Sequence, residues 1–253
     1  MFDRSRLAVV VPAKNESRFI AEVVDTMPAY VDDLIVVDDG STDDTASIAR
    51  ARGAIVLRHE ASRGVGGAIV AGYRRAIALG ASVVAVMAGD GQMAPDDLEK
   101  VVQPVASGLA DYAKGDRFRH PEVTRTMPVL RHVVGRGLSV LTGVATGYRG
   151  LSDSQCGFTA ISRAALESID LDRVWTGYGY PNDLLGHLGR AGLRVVDVPV
   201  RPVYRGEASG LRPWHVAVIG GLIGKAAYLR VTSASSPAFA TSPRGEPARP
   251  RAR

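Results

Sequence analysis

The strongest constraint on this chain is an alternation that runs through its first hundred residues. Four short runs carry no polar side chain: Leu7-Ala8-Val9-Val10-Val11, Leu34-Ile35-Val36-Val37, Ala54-Ile55-Val56-Leu57 and Val83-Val84-Ala85-Val86-Met87. Segments patterned as helices lie between them, at 19–27, at 41–50 with Ser41 as N-cap, and at 66–79. Strands apolar at every position need cover on both faces, and helices between them imply parallel crossovers. The expected fold class is therefore α/β, a mostly parallel central sheet with helices on both faces. In such sheets ligands bind beyond the carboxyl ends of the strands. Polar residues collect there: Asn15 and Glu16 after the first strand, Asp38 and Asp39 after the second, Asp90 and Gln92 after the fourth.

The second half is less regular. Strands are predicted at 111–114, 158–162 and 195–200, and helices at 127–141 and 181–190. With 253 residues, 46% hydrophobic, the chain suits one large domain or one domain with an appendage. The expected layout is a domain over 1–212, divided into halves 1–112 and 113–212, then a helix over 213–231 and a disordered tail over 232–253. The tail carries Arg244, Arg249, Arg251 and Arg253 against Glu246 alone, so more than half of the net charge of +5 resides there. The remainder shows no basic cluster interleaved with aromatics, which argues against a nucleic-acid partner. Cys156 is the only cysteine, so no intrachain disulfide forms. The charged N-terminus and the absence of roughly 20 consecutive apolar residues lead to the expectation of a cytoplasmic protein.

The carboxylates on the Asp38-Asp39-Gly40-Ser41 turn suit hydrogen bonds from a ribose hydroxyl or base edge, and equally a turn and cap role. Asp90 stands between Gly89 and Gly91, where backbone approaches a ligand closely. A lone carboxylate with the Gln92 amide nearby suits Mg²⁺ or Mn²⁺, which take their remaining ligands from water and phosphates. Gly64-Val65-Gly66-Gly67 is similar to a phosphate cradle, but Ile69 stands where a dinucleotide fingerprint has its third glycine. The loop either aims N–H groups at a diphosphate or allows close helix packing.

In order, Val11-Pro12-Ala13-Lys14-Asn15-Glu16, Val36-Val37-Asp38-Asp39-Gly40-Ser41-Thr42-Asp43 and Ala88-Gly89-Asp90-Gly91-Gln92 resemble the family 2 glycosyltransferases. The branch they resemble most is the dolichol- or polyprenol-phosphate mannose and glucose synthases. The resemblance implies a GT-A, Rossmann-like fold over residues 7–212. It implies that Pro12, Ala13, Asn15 and Glu16 line a nucleotide pocket, that Asp39 contacts base and ribose, and that Asp90 with Gln92 holds the metal. One departure stands out: the family's metal motif reads Asp-x-Asp, and its first position here is Ala88. Lys114-Gly115-Asp116-Arg117-Phe118 is similar to the segment bordering the acceptor, and Asp153-Ser154-Gln155-Cys156-Gly157-Phe158 to the turn lining the sugar pocket. Tyr180-Pro181-Asn182-Asp183 is similar to the helix start that faces the acceptor. Val198-Pro199-Val200 followed by Arg205 resembles the loop that closes over the diphosphate.

These residues imply an inverting transfer from a UDP- or GDP-linked sugar to a polyprenyl phosphate or a small-molecule hydroxyl. Arg117 and Arg205 would meet phosphate charge, and Asp183 would deprotonate a hydroxyl acceptor. The alternative is a nucleotide-sugar-binding module that Ala88 has deprived of turnover. Over 213–231, Trp214, Val218, Leu222 and Leu229 recur at helical spacing. This amphipathic helix has three uses open to it: packing on its own domain, a homodimer contact, or peripheral contact with the inner face of a membrane.

Overall fold

A computed structural model of the chain describes residues 5–123, 127, 129–203 and 213–233. Seven strands carry the fold: β1 Leu7–Ala13, β2 Asp33–Asp38, β3 Ile55–Arg58, β4 Val83–Val86, β5 Tyr112–Asp116, β6 Thr159–Ser162 and β7 Val195–Pro199. They form one sheet in the order β3-β2-β1-β4-β6-β5-β7. Strands β1 to β4 pair in parallel, as the crossover pattern requires. Strand β6 runs antiparallel to both β4 and β5, and β7 is parallel to β5. The sheet is thus mostly parallel, with one reversed strand joining its two halves.

The principal helices are α1 Ile20–Asp25, α2 Thr45–Ala51, α3 Val65–Ala78, α4 Leu98–Ala106, α5 Val129–Thr146, α6 Arg163–Glu167, α7 Tyr180–Arg190 and α8 Pro213–Thr232. Alternate strand residues feed opposite faces of the sheet. Ala8, Val10, Ile35 and Val37 pack with Ile69 and Tyr73 of α3 and Leu184 and Leu188 of α7. Val9, Val11 and Val36 pack on the other side with Ile20 of α1 and Leu98, Val101 and Val105 of α4. Helices on both faces explain why the apolar runs within β1 to β4 have no polar position.

Three local expectations need correction. Helix α2 begins at Thr45, a turn later than predicted, because the Ser41 hydroxyl accepts the Asn15 N–H instead of capping. Helix α4 was not predicted, although Leu98, Val101, Val102 and Val105 recur at helical spacing and are buried; Pro104 near its end disguises the pattern. Helix α8 is apolar on more sides than an amphipathic stripe implies. Its buried line is His215, Ile219, Leu222 and Ala226, while Trp214 points outward. The expected tail lies outside the described residues, apart from its first two positions.

Candidate active site

The carboxyl ends of β1, β2 and β4 meet on one edge of the sheet. Asp39 N–H donates to Ala13 O at 2.9 Å and Gly89 N–H to Pro12 O at 3.3 Å, lacing the three loops together. Gly89 permits this approach, since a Cβ there would stand 3.0 Å from Ala13 Cβ. The edge opens into two adjoining clefts. One is lined by Pro12, Ala13, Glu16, Asp39, Gly64 and Gly89, with Ser62 beside them. Gln92, Arg117, Gln155, Cys156, Phe158 and Arg201 line the other. Ala88, Asp90 and Tyr178 belong to both, so Asp90 stands on the divide.

Asp39 is buried and its two oxygens accept from four groups. Oδ1 meets His59 Nδ1 at 2.7 Å and the Arg63 N–H at 2.8 Å; Oδ2 meets Ser62 Oγ at 2.6 Å and the Gly64 N–H at 2.9 Å. Burial pushes this carboxyl's pKa up, but the hydrogen bonds led by His59 and Ser62 outweigh it and hold it below the ordinary aspartate value. Asp39 is therefore a charged organiser of the loop after β3. Asp38 and Asn15, both expected on the nucleotide, line neither cleft. Asp38 is fully buried, accepts the Ser41 N–H at 2.9 Å and pairs with Arg58. Asn15 adopts φ 58° and its Oδ1 accepts the Thr42 N–H at 2.9 Å. Both brace the turn that presents Asp39.

The glycines before α3 also read differently in three dimensions. The Gly66 and Gly67 N–H groups donate to Thr176 O at 2.8 and 3.1 Å, and Gly64 N–H donates to Asp39. A Cβ at Gly64 or Gly66 would fall 2.5 Å from Thr176 O or 2.3 Å from Trp175 O. Close approach of the 175–178 segment accounts for these glycines. Gly64 still forms part of the cleft wall, but these N–H groups are already bonded within the chain.

Asp90 is half-buried and its Oδ1 accepts the Gln92 N–H at 2.9 Å across Gly91. Among the described residues no three His, Cys, Asp or Glu side chains gather around one point. Among the described residues Asp90 is the carboxylate on the divide between the clefts, and it is not part of a cage. That donor set fits Mg²⁺ and Mn²⁺, hard ions that keep waters and bind substrate phosphates.

The second cleft is built on buried charge. Arg117 donates to Asp153 through Nε at 2.7 Å and through its terminal nitrogen at 3.0 Å. Asp153 is fully buried; burial raises its pKa, but the Arg117 charge and hydrogen bonds win and hold it low. Beneath it, buried Lys114 pairs with Asp197 at 2.8 Å, tying β5 to β7. Arg117 thus reaches the cleft as a braced cation. Gln155 donates to Asn182 Oδ1 at 2.7 Å, fixing the cleft's floor to α7.

Asp183 departs from the sequence expectation most sharply. It lines neither cleft; Oδ1 accepts from Lys225 Nζ at 2.9 Å and Oδ2 from the Trp175 N–H at 2.8 Å. Burial raises its pKa, but His187, 3.5 Å away, and the bonds from Lys225 and Trp175 together lower it to about 2. A carboxylate so held is a structural clamp between α7, α8 and the 175–178 segment, and a poor base. Arg205 lies outside the described residues. Among the cleft residues that escaped the sequence reading are Tyr178 and Arg201. Tyr178 sits in a Gly-Tyr-Gly step without motif spacing, and Arg201 stands two residues past the end of β7.

The family model described as Glycosyl transferase family 2 matches residues 8–170. The UDP-N-acetylglucosamine–dolichyl-phosphate N-acetylglucosaminyltransferase of Methanococcus voltae is 32% identical over 214 residues, covering 78% of this chain and 85% of that protein. The undecaprenyl-phosphate mannosyltransferase of Micrococcus luteus is 30% identical, covering 87% and 90% respectively. Among solved structures, glucosyl-3-phosphoglycerate synthase from Mycobacterium tuberculosis, in complex with Mn²⁺ and UDP-glucose, is similar with a TM-score of 0.64. It is 25% identical, with 93% of this chain and 82% of that one covered.

Proposed function

The chain belongs to glycosyltransferase family 2, and from that premise we propose that it moves a sugar from a UDP- or GDP-linked donor to a polyprenyl phosphate, with inversion. The carrying observation is the pair of clefts that meet at Asp90, one walled by the nucleotide-side loops and one by Arg201 and by Arg117, which Asp153 braces. The relatives named for transfer to dolichyl and undecaprenyl phosphates support the acceptor class.

Chemistry within the second cleft favours a phosphate nucleophile over a hydroxyl. Its described lining has no His or Glu, and Asp90 is its only carboxylate. A hydroxyl acceptor needs a base, and Asp183 is bonded elsewhere with its pKa near 2. A lipid phosphate is already ionised and needs no base. Arg117, fixed by Asp153, and Arg201 would draw that phosphate in and orient it for in-line attack on the anomeric carbon. On the donor side, Asp39 keeps the Ser62–Gly64 loop in place while Pro12, Ala13 and Glu16 form the wall. Asp90, with Gln92 beside it, would hold a Mg²⁺ or Mn²⁺ ion whose chemistry is to neutralise charge on the departing nucleoside diphosphate. Where the family has its first metal-motif carboxylate, Ala88 offers none.

The test incubates the purified chain with a panel of UDP- and GDP-sugars, Mn²⁺ and undecaprenyl phosphate in detergent, with products read by mass spectrometry. A glycosyl phospholipid product is expected, and Asp90→Asn should lower its formation about a hundredfold. Transfer only to soluble hydroxyl compounds would refute the acceptor. Donor binding without turnover on any acceptor would favour the binding-module reading that Ala88 suggests.

A further inference from the structure

Helix α5 is built inside out. Its inward face carries Ser139, Thr142 and Thr146, each at most 3% exposed. These hydroxyls are bonded: Ser139 Oγ accepts the Ser154 N–H at 2.9 Å, Thr142 Oγ1 accepts from Asn182 Nδ2 at 2.7 Å, and Thr146 Oγ1 donates to Thr142 O at 2.7 Å. Its outward face carries Val129, Val133, Val140, Leu141 and Val144, all at least 58% exposed. Spacings of four (129 to 133, 140 to 144) and seven (133 to 140) set them on one side of the helix, with Leu141 at its edge. A surface helix ordinarily shows the reverse arrangement.

Helix α8 packs beside α5 and continues the apolar surface with Trp214, Tyr228 and Val231, each at least 58% exposed. Neither helix contains an acidic residue, while exposed Arg136 and Arg230 supply positive charge; Lys225 is already paired with Asp183 of α7. The surface adjoins the proposed acceptor cleft. Tyr178, on the divide between the clefts, stacks on His215 in the first turn of α8 at 4.2 Å. Phe118, next to Arg117, packs on His132 in the first turn of α5 at 4.9 Å.

We propose that the joint outward face of α5 and α8 docks on an anionic phospholipid surface and sets the acceptor cleft at the headgroup level. This deepens the lipid-phosphate reading and rests on it for the purpose of the docking, though not for the docking itself. Charge selects the occupant. A second copy of the chain, joined through the same face, would set Arg136 and Arg230 against their own counterparts with no carboxylate on either helix to offset them. An anionic leaflet supplies the missing charge, the valines and Leu141 enter the apolar boundary, and Trp214 and Tyr228 suit the interface. The helices lie on the surface rather than span it: no helix among the described residues is long and apolar enough to cross a membrane.

Flotation of the full chain with phosphatidylcholine vesicles, with and without phosphatidylglycerol, tests this without donor or acceptor. The chain should float with the anionic vesicles and about tenfold less with neutral ones. V140E/V144E should reduce flotation about tenfold, and the milder V140S/V144S should fall between. Both positions are more than 60% exposed, so the melting temperature should hold. A wild-type chain left in the aqueous fraction would overturn the proposal. So would variants that float as well as wild type, or a wild-type dimer in solution that V140E/V144E dissociates. Flotation without transfer to undecaprenyl phosphate would keep the docking face and remove the acceptor reading; transfer in detergent without flotation would do the opposite.

Discussion

At the residue scale, burial and bonding decide which carboxylates work and which hold structure. Asp183 is only 4% exposed and its folded pKa of about 2 lies below the roughly 3.9 of an unfolded aspartate. A depressed carboxylate contributes stability that is present above the unfolded pKa and lost as pH falls through the folded one. Asp183→Asn should therefore lower unfolding free energy by roughly 2 kcal/mol at pH 7. In urea titrations that deficit should shrink between about pH 4 and pH 2. The pH dependence of turnover should keep its shape, because a clamp has been removed and not a base. Ala88 offers the converse experiment. It lines both clefts beside Asp90, so Ala88→Asp adds a second carboxylate where an ion would lie. The Mn²⁺ concentration for half-maximal activity should fall roughly tenfold; an unchanged metal requirement would mean that position 88 does not face the ion.

At the scale of elements, glycines mark where one element lies hard against another. Helix α3 crosses β1 at Gly72, where a Cβ would fall 2.2 Å from Val10 Cγ1 in the core of the sheet. Backbone there has no room to yield, since Val10 is fully buried. Gly72→Val should cost about 1–3 kcal/mol by overpacking, seen as a lower urea midpoint with an unchanged m-value. Gly66 is different in kind: its contact is the carbonyl of Trp175, in the segment that also presents Tyr178 to both clefts. Overfilling that position should move the cleft wall before it loosens the sheet.

Over the whole molecule, the reversed strand β6 joins two halves that build different clefts. The parallel half supplies Pro12, Ala13, Glu16 and Asp39; the half around β5 and β7 supplies Arg117 and Arg201. A nucleoside diphosphate with its ion should favour the folded state and leave the unfolded chain untouched. At a hundredfold excess over Kd, UDP or GDP with Mn²⁺ should raise Tm by about 5–10 °C, read by calorimetry. EDTA should remove most of that gain, and Asp90→Asn nearly all of it.

Alternation of apolar runs and helical segments was enough to establish the mostly parallel sheet and its two-sided cover, because the runs of β1, β2 and β4 carry no polar side chain and are almost entirely buried. The edge where Asp39 and Asp90 meet was legible too, since residues directly after parallel strands must emerge at one end. Which polar side chains face a ligand was not legible. Asn15, Asp38 and Asp183 belong to motifs, yet their oxygens are taken by Thr42, Ser41 and Lys225, partners up to 42 residues away in sequence. Hydrogen-bond saturation depends on distances that chain order does not contain. The inverted face of α5 was hidden for the same reason: spacing tells which residues share a side of a helix, but only neighbouring elements decide which side looks inward.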